Sequence, residues 1–572
     1  MWPFSGSNTA VVAQKRAERT RLLSEVPKDA SDSQQSFLRA TASQIVERIA
    51  TGEWTASQVL EAYIARAAFA QEKTNCLTEV MLEPARQRAR ELDQEFAATK
   101  QLHGPLHGVP ISIKDQFHIT GYDTTVGFSQ WANNPATSNA DLIKQLLDAG
   151  AVLYVKTNIP QTMFAFECSN PLWGRTTNPY NSDYTSGGSS GGEGALLAMD
   201  GAAAGIGTDI GGSLRIPAAY CGIYSLKPAS GRVSFFGAKG PVAGFEGVVT
   251  VAGPMARSVK DVELVARATF GLPSTANAIP PIPYRDVSLA PKLRFGYYTS
   301  DNYIKASPAC KRAVVETVEA LRKAGHDCVE FELPEANVAM NLFVGLTSCD
   351  GYKTMLSHLG PDPKENALFL STLGPKIPAA LRAFAVWAIE TFIGDKIFSD
   401  TMRYSRKKGV SEYWNLVAQK HEYTRKFYEK VWDKYNFDGI IAPVQALPQL
   451  PHGGCANFSV MANATILYNM LDLPVGCLPV TRVDPTKDKL TEEWIKEPGH
   501  GSPMLESGIY HSKKPLYDPQ ATKGMPINIQ IVGKKWEEEK VVAMMGVVDE
   551  ALGAKRGFGP GAWDEYMKNK AL

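Results

Sequence analysis

The stretch SGGSSGGEGALLAMDGAAAGIGTDIGGSLRIPAAYCGIYSLKPAS, residues 186–230, is the part around which the rest of the chain is organised. It holds two glycine-flanked serine clusters 24 residues apart: Gly187-Gly188-Ser189-Ser190-Gly191-Gly192, and Gly211-Gly212-Ser213 followed by Leu214-Arg215. Glycine is entropically costly in a folded backbone, so such clusters mark positive φ or the close approach of another group. A serine beside such a bend presents its hydroxyl together with neighbouring N–H groups, as a nucleophile and its oxyanion donors require. A flexible Gly/Ser linker lacks apolar runs, and both clusters here are followed by one.

Gly187-Gly188-Ser189-Ser190-Gly191 has the form of the G-x-S-x-G nucleophile elbow, which needs an apolar strand leading into its serine. The approach here, residues 178–185, is polar and turn-like. Gly205-Ile206-Gly207-Thr208-Asp209-Ile210-Gly211 misses G-x-G-x-x-G by one residue, and no strand–helix context for a dinucleotide is evident around it. The chain has neither a P-loop nor an H-E-x-x-H zinc helix. None of the nine histidines lies within the serine-rich stretch, so a base must come from elsewhere. Lys114 closes the apolar run His107-Gly108-Val109-Pro110-Ile111-Ser112-Ile113. Burial there would lower its pKa and leave an amine able to take a proton, and Ser–Lys pairs are a variant of triad chemistry. Taken by itself, a lysine in this position is an ordinary strand-end ion pair with Asp115 or another acid.

Length, 572 residues, carries a prior of three or four domains, yet no linker divides the chain. A hydrophobic content of 44% and a charged content of 21% suffice for a large buried core, and a net charge of +1 gives no pull toward nucleic acid. Eight scattered cysteines, without C-x-x-C or metal-like spacing, fit a reducing compartment. No run reaches a membrane span and no signal-peptide core is present, so a cytoplasmic enzyme, with at most peripheral attachment to an intracellular membrane, is expected.

Helices are predicted over residues 10–23 (basic, with Lys15, Arg16, Arg19 and Arg21 as a solvated face), 41–50 capped by Thr41, 55–68 capped by Thr55, and 83–98. From residue 106 short apolar strands alternate with helices: strands at 107–115, 151–156, 293–298, 328–331, 439–443 and 528–532, helices at 141–149 and 308–324. That alternation predicts an α/β sheet protein. Residues 377–394, IPAALRAFAVWAIETFIG, are apolar over a wide helical arc. They read either as an interfacial helix turning Phe384, Trp387 and Phe392 to lipid, or as a buried core or homodimer-interface helix. Residues 485–520, proline-rich and of mixed charge, read as an irregular surface insertion.

Lys114, the 187–192 cluster and Thr208-Asp209-Ile210-Gly211-Gly212-Ser213-Leu214-Arg215-Ile216-Pro217 together resemble the amidase signature family of serine hydrolases. The resemblance spans about residues 55 to 550 and is strongest toward the fatty acid amide hydrolases. Asn158-Ile159-Pro160-Gln161-Thr162-Met163, Cys168-Ser169-Asn170-Pro171, Cys221-Gly222-Ile223, Gly253-Pro254-Met255-Ala256-Arg257, Leu467-Tyr468-Asn469, Gly296-Tyr297-Tyr298 and Asp301-Asn302-Tyr303 support it. It implies an α/β amidase signature fold: a large, mixed, twisted β-sheet covered on both faces by α-helices. An N-terminal helical region, 1–75, would pack on a catalytic domain, 76–560, with a hydrophobic cap-like helical segment inserted at 375–400.

The resemblance also implies roles. Ser213 would be the nucleophile, Ser189 the bridging serine after a cis Gly188–Ser189 peptide, and Lys114 the base. The amides of Ile210, Gly211, Gly212 and Ser213 would form the oxyanion hole. Ser190, Thr208, Asp209 and Arg215 would support the loop, and Met163 and Phe164 would line the substrate channel. No metal and no organic cofactor is implied. The expected activity is hydrolysis of fatty acid amides of the N-acylethanolamine type through an acyl-enzyme, with membrane contact through 377–398. The alternatives are an amidase for small aliphatic or aryl amides, a glutamine-hydrolysing amidotransferase subunit, and a non-catalytic lipid carrier on the same scaffold.

Overall fold

The computed structural model describes residues 8–571 apart from Lys28 and Pro498. Runs such as Pro-Ile-Ser-Ile-Lys and Val-Leu-Tyr-Val-Lys-Thr form strands because apolar, branched side chains fit a pleated surface buried on both sides. In chain order the strands are β1 (Leu77–Val80), β2 (Pro110–Lys114), β3 (Val152–Thr157), β4 (Ser169–Asn170), β5 (Gly174–Arg175), β6 (Ala204–Asp209), β7 (Tyr224–Lys227), β8 (Val251–Ala256), β9 (Arg294–Tyr297), β10 (Asp327–Glu330), β11 (Gly439–Pro443), β12 (Val475–Arg482) and β13 (Pro526–Val532). β4 and β5 pair with each other, and the other eleven form one sheet in the order β1-β3-β2-β6-β8-β7-β12-β13-β11-β9-β10. β3, β2 and β6 run parallel, as do β11, β9 and β10, while the remaining pairings are antiparallel. Every residue of β2, β3, β6, β7, β8, β11 and β13 is buried. Successive side chains of a strand point to opposite faces, so helices cover this mixed sheet on both sides.

β1, β6, β7, β8 and β12 lie outside the runs expected to be strands, and β6 matters most to the site. Glycine weakens a strand, and Ala204-Gly205-Ile206-Gly207 therefore has little of a strand's texture. Both glycines are sites of close approach: a Cβ at Gly205 would lie 2.1 Å from Glu193 Oε2, and one at Gly207 2.7 Å from the Leu214 side chain. Ser213 consequently sits in the turn between a central strand and helix Arg215–Cys221, a strand–turn–helix context that the glycine spacing alone does not disclose.

The capped helices form where expected. Thr41 accepts the Gln44 amide and heads Ala42–Ala50, and Thr55 accepts the Gln58 amide and heads Ala56–Thr74. The second runs six residues past residue 68, because nothing in Phe69-Ala70-Gln71-Glu72-Lys73-Thr74 breaks a helix until Asn75 turns left-handed at φ 54°. Helix Thr9–Ser24 corrects the expectation of a solvated basic face. Lys15 is buried between Glu79 (2.7 Å) and Asp123 (3.1 Å), and Arg16 donates to the carbonyls of Leu172 and Pro171. Arg19 donates to the Leu77 carbonyl and to Asn75 Oδ1. Of the four, Arg21 remains in solvent beside Glu25.

Residues 485–520 are likewise no loose surface insertion. Trp494, Leu505, Ile509, Tyr510 and Tyr517 are buried, Tyr510 donates to the Lys305 carbonyl, and Ser502 Oγ donates to Asp395 Oδ2 at 2.5 Å. The 377–394 segment forms helix Ala379–Ala388 and a π-helical turn, Ile389–Ile393. Phe392 is 75% exposed, Phe384 60% and Trp387 52%, so the buried-core alternative for this segment falls.

Candidate active site

Lys114 ends β2 at the centre of the parallel half of the sheet and is fully buried. Its Nζ lies 2.7 Å from Ser189 Oγ and 2.7 Å from Thr208 Oγ1. Thr208 gives its own hydroxyl proton to Gln116 Oε1 at 2.6 Å, so it can only accept from Lys114. Lys114 Nζ thus donates to two hydroxyls, Ser189 and Thr208, and a neutral amine has two N–H bonds to give. An ammonium would need three acceptors. Burial lowers the Lys114 pKa to about 7, against the opposing field of Asp209. The strand-end ion pair is not formed either: Asp115 accepts from Thr78, Thr125 and the Val126 amide, and its nearest cation is Lys156 at 3.9 Å.

The Gly188–Ser189 peptide is cis. Ser190, next along, donates its amide to the Ser213 carbonyl at 3.3 Å, and its hydroxyl lies between the Thr208 amide and carbonyl. The two serine clusters, 24 residues apart in the chain, are thereby laid side by side. Ser189 and Ser213 line one cavity together.

The loop carrying Ser213 is held by a buried charge. Asp209 accepts the Gly212 amide at 2.7 Å and the Leu214 amide at 3.1 Å, and pairs with Arg215 through Nε and Nη2 at 3.1 Å each. Arg215 also donates to the Thr465 carbonyl, Gln530 Oε1 and Asn469 Oδ1, and Asn469 donates to Asp209. Burial alone would raise the Asp209 carboxyl, but the Arg215 guanidinium and these hydrogen bonds hold it far below the usual carboxylate range. The Gly212 amide is therefore occupied, which corrects the expected set of four oxyanion donors: the amides of Ile210, Gly211 and Ser213 donate to no other group among the described residues.

Gly212 adopts φ +124°, and a Cβ there would lie 2.3 Å from Thr465 Oγ1. Gly212→Ala is expected to lower kcat by about a hundredfold or more, because it displaces the neighbouring donors while Asp209 and Arg215 keep the fold. Steady-state rates, with circular dichroism confirming the folded state, would check this; a rate within threefold of wild type would contradict it.

Met163 and Phe164 border both cavities that reach Ser213. Thr162 and Met163 are held at φ 68° and 59°, a left-handed pair costing about 1–3 kcal/mol per residue and tolerated where the surroundings impose it. Phe164 stacks on Phe343 with ring centres 6.1 Å apart and tilts against Tyr352 at 5.5 Å. The first cavity, about 380 Å³, is lined mainly by apolar side chains, with Ser371, Arg382, Thr401, Ser405 and Ser459 also on its wall, and touches both Ser213 and Ile377, Ile389 and Phe398. The second, about 850 Å³, adds Gln116, Ser189 and Thr208.

Gln116, Thr465, Asn469 and Gln530 were not anticipated as site residues. For Thr465, Asn469 and Gln530 the signal is a polar amide or hydroxyl within an otherwise apolar run, as in Ile527-Asn528-Ile529-Gln530-Ile531; Gln116, in Lys114-Asp115-Gln116-Phe117-His118, has none. Among the described residues no cluster of His, Cys, Asp and Glu suits a metal ion, and no helix is long and apolar enough to cross a membrane.

A family model described as Amidase matches residues 58–542. An acetamidase of Emericella nidulans is 32% identical over 539 residues, covering 91% of this chain and 91% of that protein. The fatty-acid amide hydrolase 1 of Sus scrofa is 33% identical over 525 residues, covering 90% and 86%. A solved fatty acid amide hydrolase structure superposes with a TM-score of 0.80 at 28% identity, over 97% of this chain and 92% of that one. Eleven-stranded sheet, serine-rich core and near-full-length similarity thus converge: the chain belongs to the amidase family and is an amide hydrolase of the amidase signature type.

Proposed function

We propose that this amide hydrolase cleaves long-chain fatty acid amides, N-acylethanolamines among them, through an acyl-enzyme on Ser213. The observation that carries this is the apolar cavity beside Ser213. An enclosed cavity of about 150 Å³ already accommodates benzene, whereas this one offers about 380 Å³. An acetyl or benzoyl group would leave most of it empty. A long acyl chain would bury apolar surface at about 25 cal/mol per Å².

In the proposed mechanism neutral Lys114 takes the proton of Ser189, which takes that of Ser213 as its oxygen attacks the amide carbonyl. The amides of Ile210, Gly211 and Ser213 receive the oxyanion. The proton then returns through Ser189 to the departing nitrogen, whose protonation matters because amines are poor leaving groups. Water releases the acid from the acyl-enzyme. Ser190, Thr208, Asp209 and Arg215 hold these groups in place.

Leu381, Phe384, Trp387, Phe392 and Ile393 are exposed beside residues that line the same cavity, which supports substrate arriving from a lipid surface. The similarity to an acetamidase at comparable identity favours a second reading, hydrolysis of small amides. Rates on oleoyl ethanolamide, acetamide and benzamide decide between them. A kcat/KM at least a hundredfold higher for the oleoyl substrate is expected, and preference for either small amide would overturn the lipid assignment.

A further inference from the structure

Glu193 is a buried carboxyl to which the proposed mechanism gives no part. It stands in helix Gly191–Ala198, whose eight residues are all buried, in the first turn after Ser189 and Ser190. Some other buried carboxylates here face a guanidinium: Asp209 has Arg215, Asp200 has Arg257, and Glu538 has Arg232, whereas Asp261, Asp301 and Asp395 are buried without a cation in contact among the described residues. Glu193 has no ion-pair partner in contact among the described residues. Its Oε2 accepts from Ser112 Oγ at 2.5 Å, and its Oε1 from Thr157 Oγ1 at 2.7 Å.

Those two hydroxyls locate it. Ser112 lies two residues before Lys114 on β2 and so on the same face of the sheet. Thr157 on β3 is the register partner of Lys114 itself. The third flanking position is Gly205, the register partner of Ser112 on β6, where a Cβ would lie 2.1 Å from Glu193 Oε2. Gly192 does the same for the helix, since a Cβ there would lie 2.3 Å from the Asn158 amide. The chain thus clears room at two glycines to bring a carboxyl onto the face of the sheet that carries the lysine.

We propose that Glu193 is a positioning residue for the base: its carboxylate, fixed by Ser112 and Thr157, stabilises the ammonium that forms at Lys114 when Ser213 attacks. The inference rests on Lys114 being that base. In the step concerned Ser213 Oγ passes its proton to Ser189 Oγ, Ser189 passes its own to Lys114 Nζ, and Glu193 neither gains nor loses one. The titratable groups whose fields reach Lys114 are Asp209, Cys168 and Glu193. Asp209 is offset by Arg215, and burial pushes the Cys168 thiol up to about 12, which keeps it neutral. Facing Glu193 are Lys114, Cys76 and Tyr154; burial raises the Cys76 thiol to about 12 and the Tyr154 hydroxyl above its usual range, so both are neutral as well. Burial lifts the Glu193 carboxyl to about 7, with the two hydroxyls and Lys114 pulling the other way. Glu193 is therefore the carboxylate above about pH 7, where Lys114 is the free amine, and its hold on the ammonium weakens as pH falls below that value.

Glu193→Gln keeps the shape and removes the charge; its Oε1 still accepts from one hydroxyl, while its Nε2 must donate to the other. In the full-length enzyme the acid limb of kcat/KM is expected to move down by about half a pH unit, because an unassisted Lys114 loses its proton more readily and Glu193 is itself only partly ionised there. The plateau kcat is expected to fall about tenfold. Labelling of Ser213 by a fluorophosphonate, followed against pH, should show the same displaced limb without depending on turnover. Ser112→Ala, which removes one hydrogen bond from the carboxylate, should displace the limb in the same direction by less, and it supplies the reading if Glu193→Gln fails to fold. An unmoved acid limb in the folded variants overturns the proposal. Lys114→Ala in the same series separates the failures: wild-type behaviour there would remove the base itself, whereas a crippled Lys114→Ala beside an unshifted Glu193→Gln would remove only Glu193.

Discussion

Ser213→Ala is expected to leave a folded protein with no measurable amide turnover. The loss should approach 10⁶-fold, the scale on which removal of a serine nucleophile acts when the residues around it work as a unit. The fold should survive because the Ser213 side chain, 8% exposed at the junction of two cavities, is not part of the packing that holds the loop. Asp209 and Arg215 do that through the Gly212 and Leu214 amides and through Thr465, Asn469 and Gln530. The measurement is product release from oleoyl ethanolamide together with the thermal midpoint. A midpoint within a few degrees of wild type with activity abolished assigns the nucleophile. Near-wild-type turnover would remove Ser213 from the chemistry.

Lys114→Ala should cost about 10²- to 10⁴-fold at pH 7, the span of a well-placed general base. Its pH dependence has a definite sign. Burial places the Lys114 pKa at about 7, below its ordinary value of 10.5. The amine that accepts the Ser189 proton is therefore populated at and above pH 7 and lost to protonation as pH falls through that value. Wild-type kcat/KM should rise with pH to a plateau above about 7. Without the amine, hydroxide is the remaining base, and its concentration grows tenfold per unit. The deficit of the variant should thus be full at neutral and acidic pH and should narrow in alkali. An unchanged rate and pH profile would exclude the lysine.

Local chemistry was the legible part of this protein. Two serines beside clustered glycines and a lysine closing an apolar run can each be recognised in a few residues, because a bend and a hydroxyl are local properties. An α/β sheet was legible for the same reason, since six of its eleven strands are short apolar runs between helices, while its mixed character was implied by the family resemblance. Polar contacts made across the fold were not. Arg215 meets Asn469 and Gln530, more than 250 positions away in the chain, and no spacing rule announces that. β6 stayed hidden because the glycines that let Glu193 and Leu214 approach also erase the strand's composition. Lys15, Arg16 and Arg19 resembled a solvated face because charge was visible and its buried partners, Glu79, Asp123 and the carbonyls of residues 171 and 172, lay elsewhere. The occupied Gly212 amide belongs with these, since the sequence shows a donor but not its direction.

The first helix has a consequence for how the molecule behaves among its own copies. β1 ends the eleven-stranded sheet, and an outermost strand offers unpaired backbone groups as a template for another chain. Here the Leu77 carbonyl is taken by the Arg19 guanidinium and the Leu77 amide by Gln71 Oε1 at 2.7 Å, while Lys15 clamps Glu79 beside them. Side chains thus occupy both outward backbone groups of Leu77, which a neighbouring strand would need, and this hinders templated aggregation at the sheet's β1 margin.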